Sequence, residues 1–341
     1  MLKLTTNIIP DPLGHNPALK LKGDWVFVTV SDGNLTGMGE GSHSTDDAEC
    51  VKAVHDSFDS YFAHIDLAVE PLQVLEKEFQ LQSLDLYKAT AVSALNQAFY
   101  ELIAKKERVP VWKLFADKPV NEKIPLYLTI NRALTTRDEE DYKNVVAEAL
   151  EQGFTHIKCA PFEKVVKEEG QAEQAEEGLS ILRMLVKEFP KLSLRIDFHK
   201  RFTYEGFIDI LPEIEKISPV WIEEPVRDME KNRDIREKTD IPLAAGELYF
   251  GTGPFEELAI NGYADTVMPD VKHVGGFGPL VDVCTCMGTL GIKVSPHNPA
   301  GPISTIASVH AAAVSRSVTS LETAHFREET THYYKEYLTD G

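Results

Sequence analysis

Seven polar side chains recur at a spacing that could serve one reaction. Asp197, Glu223, Glu247, Asp270 and His297 follow one another at intervals of 26, 24, 23 and 27 residues, Lys158 precedes them, and His199 stands two residues after Asp197. Each belongs to a short segment that carries apolar residues ahead of it: HIKCAP, LRIDFHKR, WIEEP, AAGE, VMPD and VSPHNPAGP. An interval of this length holds one strand and one helix. In a parallel barrel the residues just past the strand C-terminal ends face a common cleft, so these groups are expected to converge although they lie far apart in the chain.

Three converging carboxylates, Asp197, Glu223 and Glu247, repel one another unless a cation compensates them. A hard divalent ion with oxygen ligands does so. Mg2+ suits because it keeps positions open for water and substrate, with Mn2+ as a substitute. Asp270 followed one unit later by His297 points to an Asp–His pair, the carboxylate orienting the imidazole and raising its basicity. Strand alternation puts His199 on the side of Asp197, within reach of the same cavity. Lys158 either contacts a substrate oxygen or pairs with a carboxylate. His273, close to Gly275 and Gly276, reads as part of a turn.

The elements that must position these groups follow from periodicity. Residues 24–30 form an apolar, β-branched strand, and the SDGNLTGMGEG after it carries hairpin punctuation. Two amphipathic stretches, about 46–64 and 85–106, complete an α+β pattern. From residue 124 onward short apolar runs (125–129, 155–160, 192–197, 220–223, 242–245, 266–268 and 292–295) alternate with helical candidates such as 142–152, 173–188, 204–217 and 278–290. This alternation implies parallel βα units and a TIM-type (β/α) barrel. The expected organisation is an N-terminal α+β capping domain (1–118), a barrel domain (119–322) and a C-terminal segment (323–341) returning to the capping domain. The charged EEGQAEQAEEG reads as a solvated loop and helix start.

Composition narrows the function. The chain has 341 residues, 43% hydrophobic and 26% charged, with a formal net charge of −19. That balance argues against nucleic acid and anionic membrane as partners, since phosphate binding depends on basic surface. A chain of this length buries enough surface to need no metal merely to fold. The four cysteines lack CxxC spacing, and no apolar run approaches the length of a membrane span, which together suggest a soluble protein of the reducing cytoplasm.

In order along the chain, these motifs resemble the mandelate racemase/muconate lactonizing branch of the enolase superfamily. DGNLTGMGEG at 32–41 is similar to the hairpin and glutamate loop of that family, and SALNQAFYELIAKKERVPVWKLF at 93–115 to the helix closing its capping domain. WIEEP, AAGE, the PD-x4-GG of residues 269–276 and PHNPAGP then follow. The resemblance implies the modified enolase-like (β/α)7β barrel, and it selects Glu223 over Glu224 as the metal ligand. Alternation agrees, since Trp221 and Glu223 share one side of the strand. Racemases and several lactonizing members carry Lys-x-Lys after the second strand, the second Lys acting as a base. Here the stretch is Lys158-Cys159-Ala160, and Ala160 takes no proton, which disfavours a two-base racemase built on Lys and His. A helix residue commonly acidic in the family is Asn96 here.

What remains resembles the galactonate- and mannonate-type sugar-acid dehydratases. His297 with Asp270 would abstract the proton α to a carboxylate, giving a metal-stabilised enediolate. The DFH of residues 197–199 is similar to their Asp-x-His, in which the His is the general acid, so His199 would protonate the leaving β hydroxyl. The product would be a 2-keto-3-deoxy acid. His15, Asn16, Lys20, His43 and Glu322 are candidates for substrate contact, the first four lying in capping-domain segments near residues 11–20 and 41–45. The expected partner is a small carboxylate, and the expected state a homo-oligomer. Three rivals stand beside this reading: an epimerase using His199 and His297, a hydroxyproline or amino-acid dehydratase, and a non-catalytic metal-binding homologue.

Overall fold

The computed structural model describes residues 1–11, 24–42, 44–324 and 327. His15, Asn16, Lys20 and His43 therefore lie outside the described residues, as does most of the C-terminal segment. The chain divides into two compact units, one holding Met1–Pro125, Gly246–Glu256 and the chain from Met268 on, the other Leu126–Ala245 and Glu257–Val267.

The first unit opens with an antiparallel sheet of β1 (Lys3–Ile9), β2 (Trp25–Ser31) and β3 (Thr36–Glu40), in that order. Three helices follow: α1 (Asp47–Ser57), α2 (Val69–Gln80) and α3 (Leu86–Glu107), the last capped by the Asp85 side chain, which accepts from the Lys88 amide. Gly33, at φ 101°, makes the hairpin turn. The glycines of TGMGE have another task. A Cβ at Gly37 would stand 1.9 Å from the Ala98 carbonyl oxygen, and one at Gly39 1.9 Å from that of Ala94. Alternate residues of a strand share a face, so the G-x-G spacing clears one face of β3 for the backbone of α3. Of the hairpin punctuation read from the sequence, Asp32-Gly33 falls in the turn, and Gly37 and Gly39 fall in strand β3.

The second unit carries six parallel strands, β4 (Leu126–Thr129), β5 (His156–Cys159), β6 (Ser193–Asp197), β7 (Ile222–Glu223), β8 (Leu243–Ala245) and β9 (Thr266–Val267), each paired with the next. Between them run α4 (Glu139–Glu151), α5 (Gln171–Glu188), α6 (Tyr204–Ile217), α7 (Lys231–Arg236) and α8 (Gly253–Ile260). Phe162, Phe198, Phe202 and Phe207 pack mostly edge to face under the β5 and β6 ends. Deeper, the Arg195 guanidinium lies 4.6 Å from the Tyr127 ring centre and 4.5 Å from that of Trp221, a stacking that suits a planar cation taken out of water.

The chain then forms α9 (Phe277–Leu290), β10 (Lys293–Val294), α10 (Pro302–Ala313) and β11 (Leu321–Thr323), all in the first unit. Val294 bridges Val318, and the Val294 and Thr319 amides donate to Ser317 and Val294 carbonyls, joining β10 to the run that enters β11. The sheet order is β10-β9-β8-β7-β6-β5-β4-β11. With seven helices between eight strands, the fold is a (β/α)7β barrel preceded by an α+β module. Helices α2, α7, α8 and α10 and strands β1 and β11 had no counterpart among the sequence-read elements, although in α2 the helical spacing of the buried Leu72, Leu75 and Phe79 was a legible signal.

Candidate active site

In the second unit, Asp197 ends β6 opposite Glu223 at the end of β7. Both are buried, 3% and 1% exposed. Parallel pairing in register brings like charges together here, and Lys158 from β5 answers them. Its Nζ stands 3.0 Å from Glu223 Oε1 and 3.8 Å from Asp197 Oδ2. Lys158 thus sits beside both carboxylates and meets that of Glu223 at ion-pair distance. Trp221 Nε1 donates to Glu223 Oε2 at 3.3 Å, as alternation along β7 requires. Glu224 points elsewhere: its φ is 43°, and Lys200 Nζ meets its Oε2 at 3.1 Å.

His199 reaches Asp197 by a route other than strand alternation. Strand β6 ends at Asp197, and His199 and Lys200 both adopt left-handed backbone, at φ 49° and 56°. The turn folds the His199 amide onto Asp197 Oδ1 at 2.9 Å and its Nε2 to 2.9 Å from Oδ2. Burial works against the Asp197 charge, but His199 and Lys158 outweigh it and hold the carboxyl well below the usual range.

In the first unit, Asp270 and His297 form the pair expected of them, with Asp270 Oδ2 2.7 Å from His297 Nδ1. Nε2 of the same ring lies 3.1 Å from Glu247 Oε2. Burial opposes protonation of His297, yet Glu247, Glu322 and Asp270 push its pKa above the ordinary histidine value. Asp270 is fully buried and also meets Lys272 Nζ at 3.0 Å, so Lys272, His273 and His297 overcome burial and keep it ionised. Glu322, on β11, is buried, and its Oε2 accepts from the Asn298 amide at 3.2 Å.

Several groups in this network were absent from the sequence-derived set. Lys272 is wholly buried, and the one available signal was a charged residue two positions after a strand-end Asp. His273, which reads as a turn residue, is wholly buried with both ring nitrogens bonded. Burial holds its pKa below the ordinary value against the pull of Asp270. Asn96 accepts from the Phe277 amide at 2.8 Å through Oδ1 and donates to Glu76 at 2.6 Å, tying the start of α9 to α2 and α3.

Within the second unit, Asp197 and Glu223 present buried carboxylates side by side at the ends of β6 and β7. An all-oxygen, all-anionic donor set matches a hard divalent cation.

Comparison with known proteins gives this arrangement its class. Residues 17–116 match the mandelate racemase / muconate lactonizing enzyme N-terminal domain, and residues 141–340 the enolase C-terminal domain-like family. The chain belongs to this family of the enolase superfamily. Among curated relatives, D-gluconate dehydratase of Thermoproteus tenax is 26% identical over 240 residues, 69% of this chain and 47% of that protein. Arabinonate dehydratase of Saccharolobus solfataricus is 25% identical, covering 74% of this chain and 69% of its own length. The chain thus spans about half the length of the first relative and about two thirds of the second. A solved mandelate racemase/muconate lactonizing enzyme-like protein from Roseovarius sp. TM1035 superposes with a TM-score of 0.84 at 22% identity, over 98% of this chain and 87% of that one, which establishes the shared fold.

Proposed function

We propose that this chain is a Mg2+-dependent dehydratase that removes water from a sugar acid to give a 2-keto-3-deoxy acid. The observation that carries the reading is the buried Asp270–His297 pair at 2.7 Å, in a chain related to gluconate and arabinonate dehydratases. Asp197, Glu223 and Glu247 would hold the ion. When bound, it supplies stabilisation of the negative charge that develops on the substrate carboxylate as the α proton leaves.

The protein's own groups do the proton transfers. Asp270 fixes the imidazole through Nδ1 and leaves Nε2 as the nitrogen that takes the α proton. His199, with a side chain 35% exposed, delivers a proton to the β hydroxyl, which departs as water. The resulting enol tautomerises to the 2-keto acid. Ala160 offers no base where a racemase would carry its second Lys, so abstraction is assigned to one face. Lys158 balances the charge of the carboxylates it pairs with. The capping-domain segments near residues 11–20 and 41–45 would contact the far end of the substrate.

A panel of mono- and diacid sugars incubated with Mg2+ and assayed for 2-keto acid tests the reading. Product from at least one aldonate is expected. Deuterium incorporated from solvent with inverted configuration and no keto acid would assign the chain as an epimerase, and turnover confined to hydroxyproline or amino acids would overturn the sugar-acid assignment.

A further inference from the structure

His273 is a histidine that the proposed reaction does not use, yet both of its nitrogens are committed. Nδ1 lies 2.8 Å from the backbone carbonyl oxygen of Glu247, and Nε2 lies 2.8 Å from Ser42 Oγ. A carbonyl oxygen only accepts, so Nδ1 carries the hydrogen. In the neutral ring Nε2 is then an acceptor, and the Ser42 hydroxyl donates to it. The Ser42 oxygen accepts in turn from the Ser44 amide at 3.0 Å. Two further bonds hold this serine: its amide donates to Thr90 Oγ1 at 2.7 Å, and Thr45 Oγ1 donates to its carbonyl at 2.8 Å. A single rigid ring therefore connects Ser42 to the backbone that bears Glu247.

We propose that His273 is a positioning residue that ties Ser42 to Glu247, so that one side chain sets both the seat of the loop at Ser42 and the aim of the third carboxylate. This rests on the reading of Glu247 as an ion ligand and of the loop as a substrate contact. Groups that orient a metal ligand from behind typically contribute 10- to 100-fold to metal affinity or activity, and His273 does so through a main-chain carbonyl. It couples distal recognition to the reacting end, which is how remote contacts come to affect turnover.

Three variants separate its two arms. In His273→Asn the side-chain amide can occupy the position of Nδ1, keeping the donor to the Glu247 carbonyl while losing Ser42. Mg2+ affinity, read calorimetrically without substrate, should stay within about twofold, while KM rises several-fold. His273→Gln reaches the position of Nε2, keeping a partner for Ser42 but not the Glu247 carbonyl, so Mg2+ binding should weaken by roughly 10-fold or more with a smaller rise in KM. Ser42→Ala should repeat the asparagine pattern, and it carries the test alone if the His273 variants fail to fold. Equal loss of Mg2+ affinity and KM in both His273 variants, a change in melting temperature alone, or a Ser42→Ala protein with unchanged KM would each overturn the proposal. No turnover by the unsubstituted protein would instead overturn the dehydratase reading, and the Mg2+ titrations would still decide the role of His273.

Discussion

Lys158 and Glu223 form a buried ion pair, Nζ to Oε1 at 3.0 Å, both side chains at most 2% exposed. With Asp197 Oδ2 3.8 Å from the same ammonium, one cation faces two carboxylates on adjacent strands. The pairing register of β6 and β7 makes this repulsion unavoidable, and the lysine relieves part of it.

Replacing Lys158 by Met should therefore destabilise the metal-free protein by about 3–5 kcal/mol, the usual cost of removing one partner of a buried pair. Mg2+ should recover part of that loss, since a divalent ion compensates the same carboxylates. Melting curves with chelator and with Mg2+ check this. Substrate binding retained with selective loss of α-proton exchange would instead identify Lys158 as a base.

Glu223→Gln should abolish activity and leave the circular dichroism spectrum unchanged. The amide keeps an oxygen to accept from Trp221 Nε1 but is a weaker ligand for a hard cation. Exhaustive chelation should likewise remove activity and Mg2+ restore it; full activity of the chelated protein would sink the metal assignment.

The two histidines should separate by step. His297→Asn should stop both elimination and α-proton exchange, because nothing proceeds without abstraction. His199→Asn should cut product formation by roughly 100- to 10,000-fold yet return substrate deuterated at the α carbon from D2O. NMR of recovered substrate reads both variants. Loss of exchange in His199→Asn would move His199 to binding or to the role of base.

Glu40 predicts a pH dependence of stability. It is fully buried, accepts from the Gly301 and Ser304 amides at 2.8 and 3.0 Å, and burial pushes its pKa up to about 7 against the pull of Lys272 and those amides. The folded state then holds this proton more tightly than the unfolded chain. Its contribution is greatest below about 4.5 and is lost as pH rises towards 7, by up to about 3 kcal/mol. Urea unfolding of Glu40→Gln at pH 5 to 8 should show a flatter decline than the unsubstituted protein. An unchanged slope would mean that Glu40 is ionised throughout.

Much of the barrel was legible because its signals are local. Apolar runs alternating with amphipathic stretches depend only on residues a few positions apart, and β5, β6 and α6 lie within about two residues of the expected bounds. The strand-end positions of Lys158, Asp197, Glu223, Glu247, Asp270 and His297 follow from the same periodicity. The interior of the first unit was less legible. In TGMGE the glycines look like turn residues until the α3 backbone is seen packed against them.

By itself, then, the sequence determined which groups stand at strand ends and on which side of β7 the glutamate of the Trp221–Glu223 pair falls, since both are consequences of period and alternation. Only the tertiary structure decided that Lys158 pairs with Glu223, 65 residues away, that a left-handed turn and not the strand returns His199 to Asp197, and that Lys272 and His273 are buried around Asp270. The reason is physical: which side chains meet across such separations is fixed by strand register, turn geometry and the exclusion of water, and none of these is written in the local order of residues.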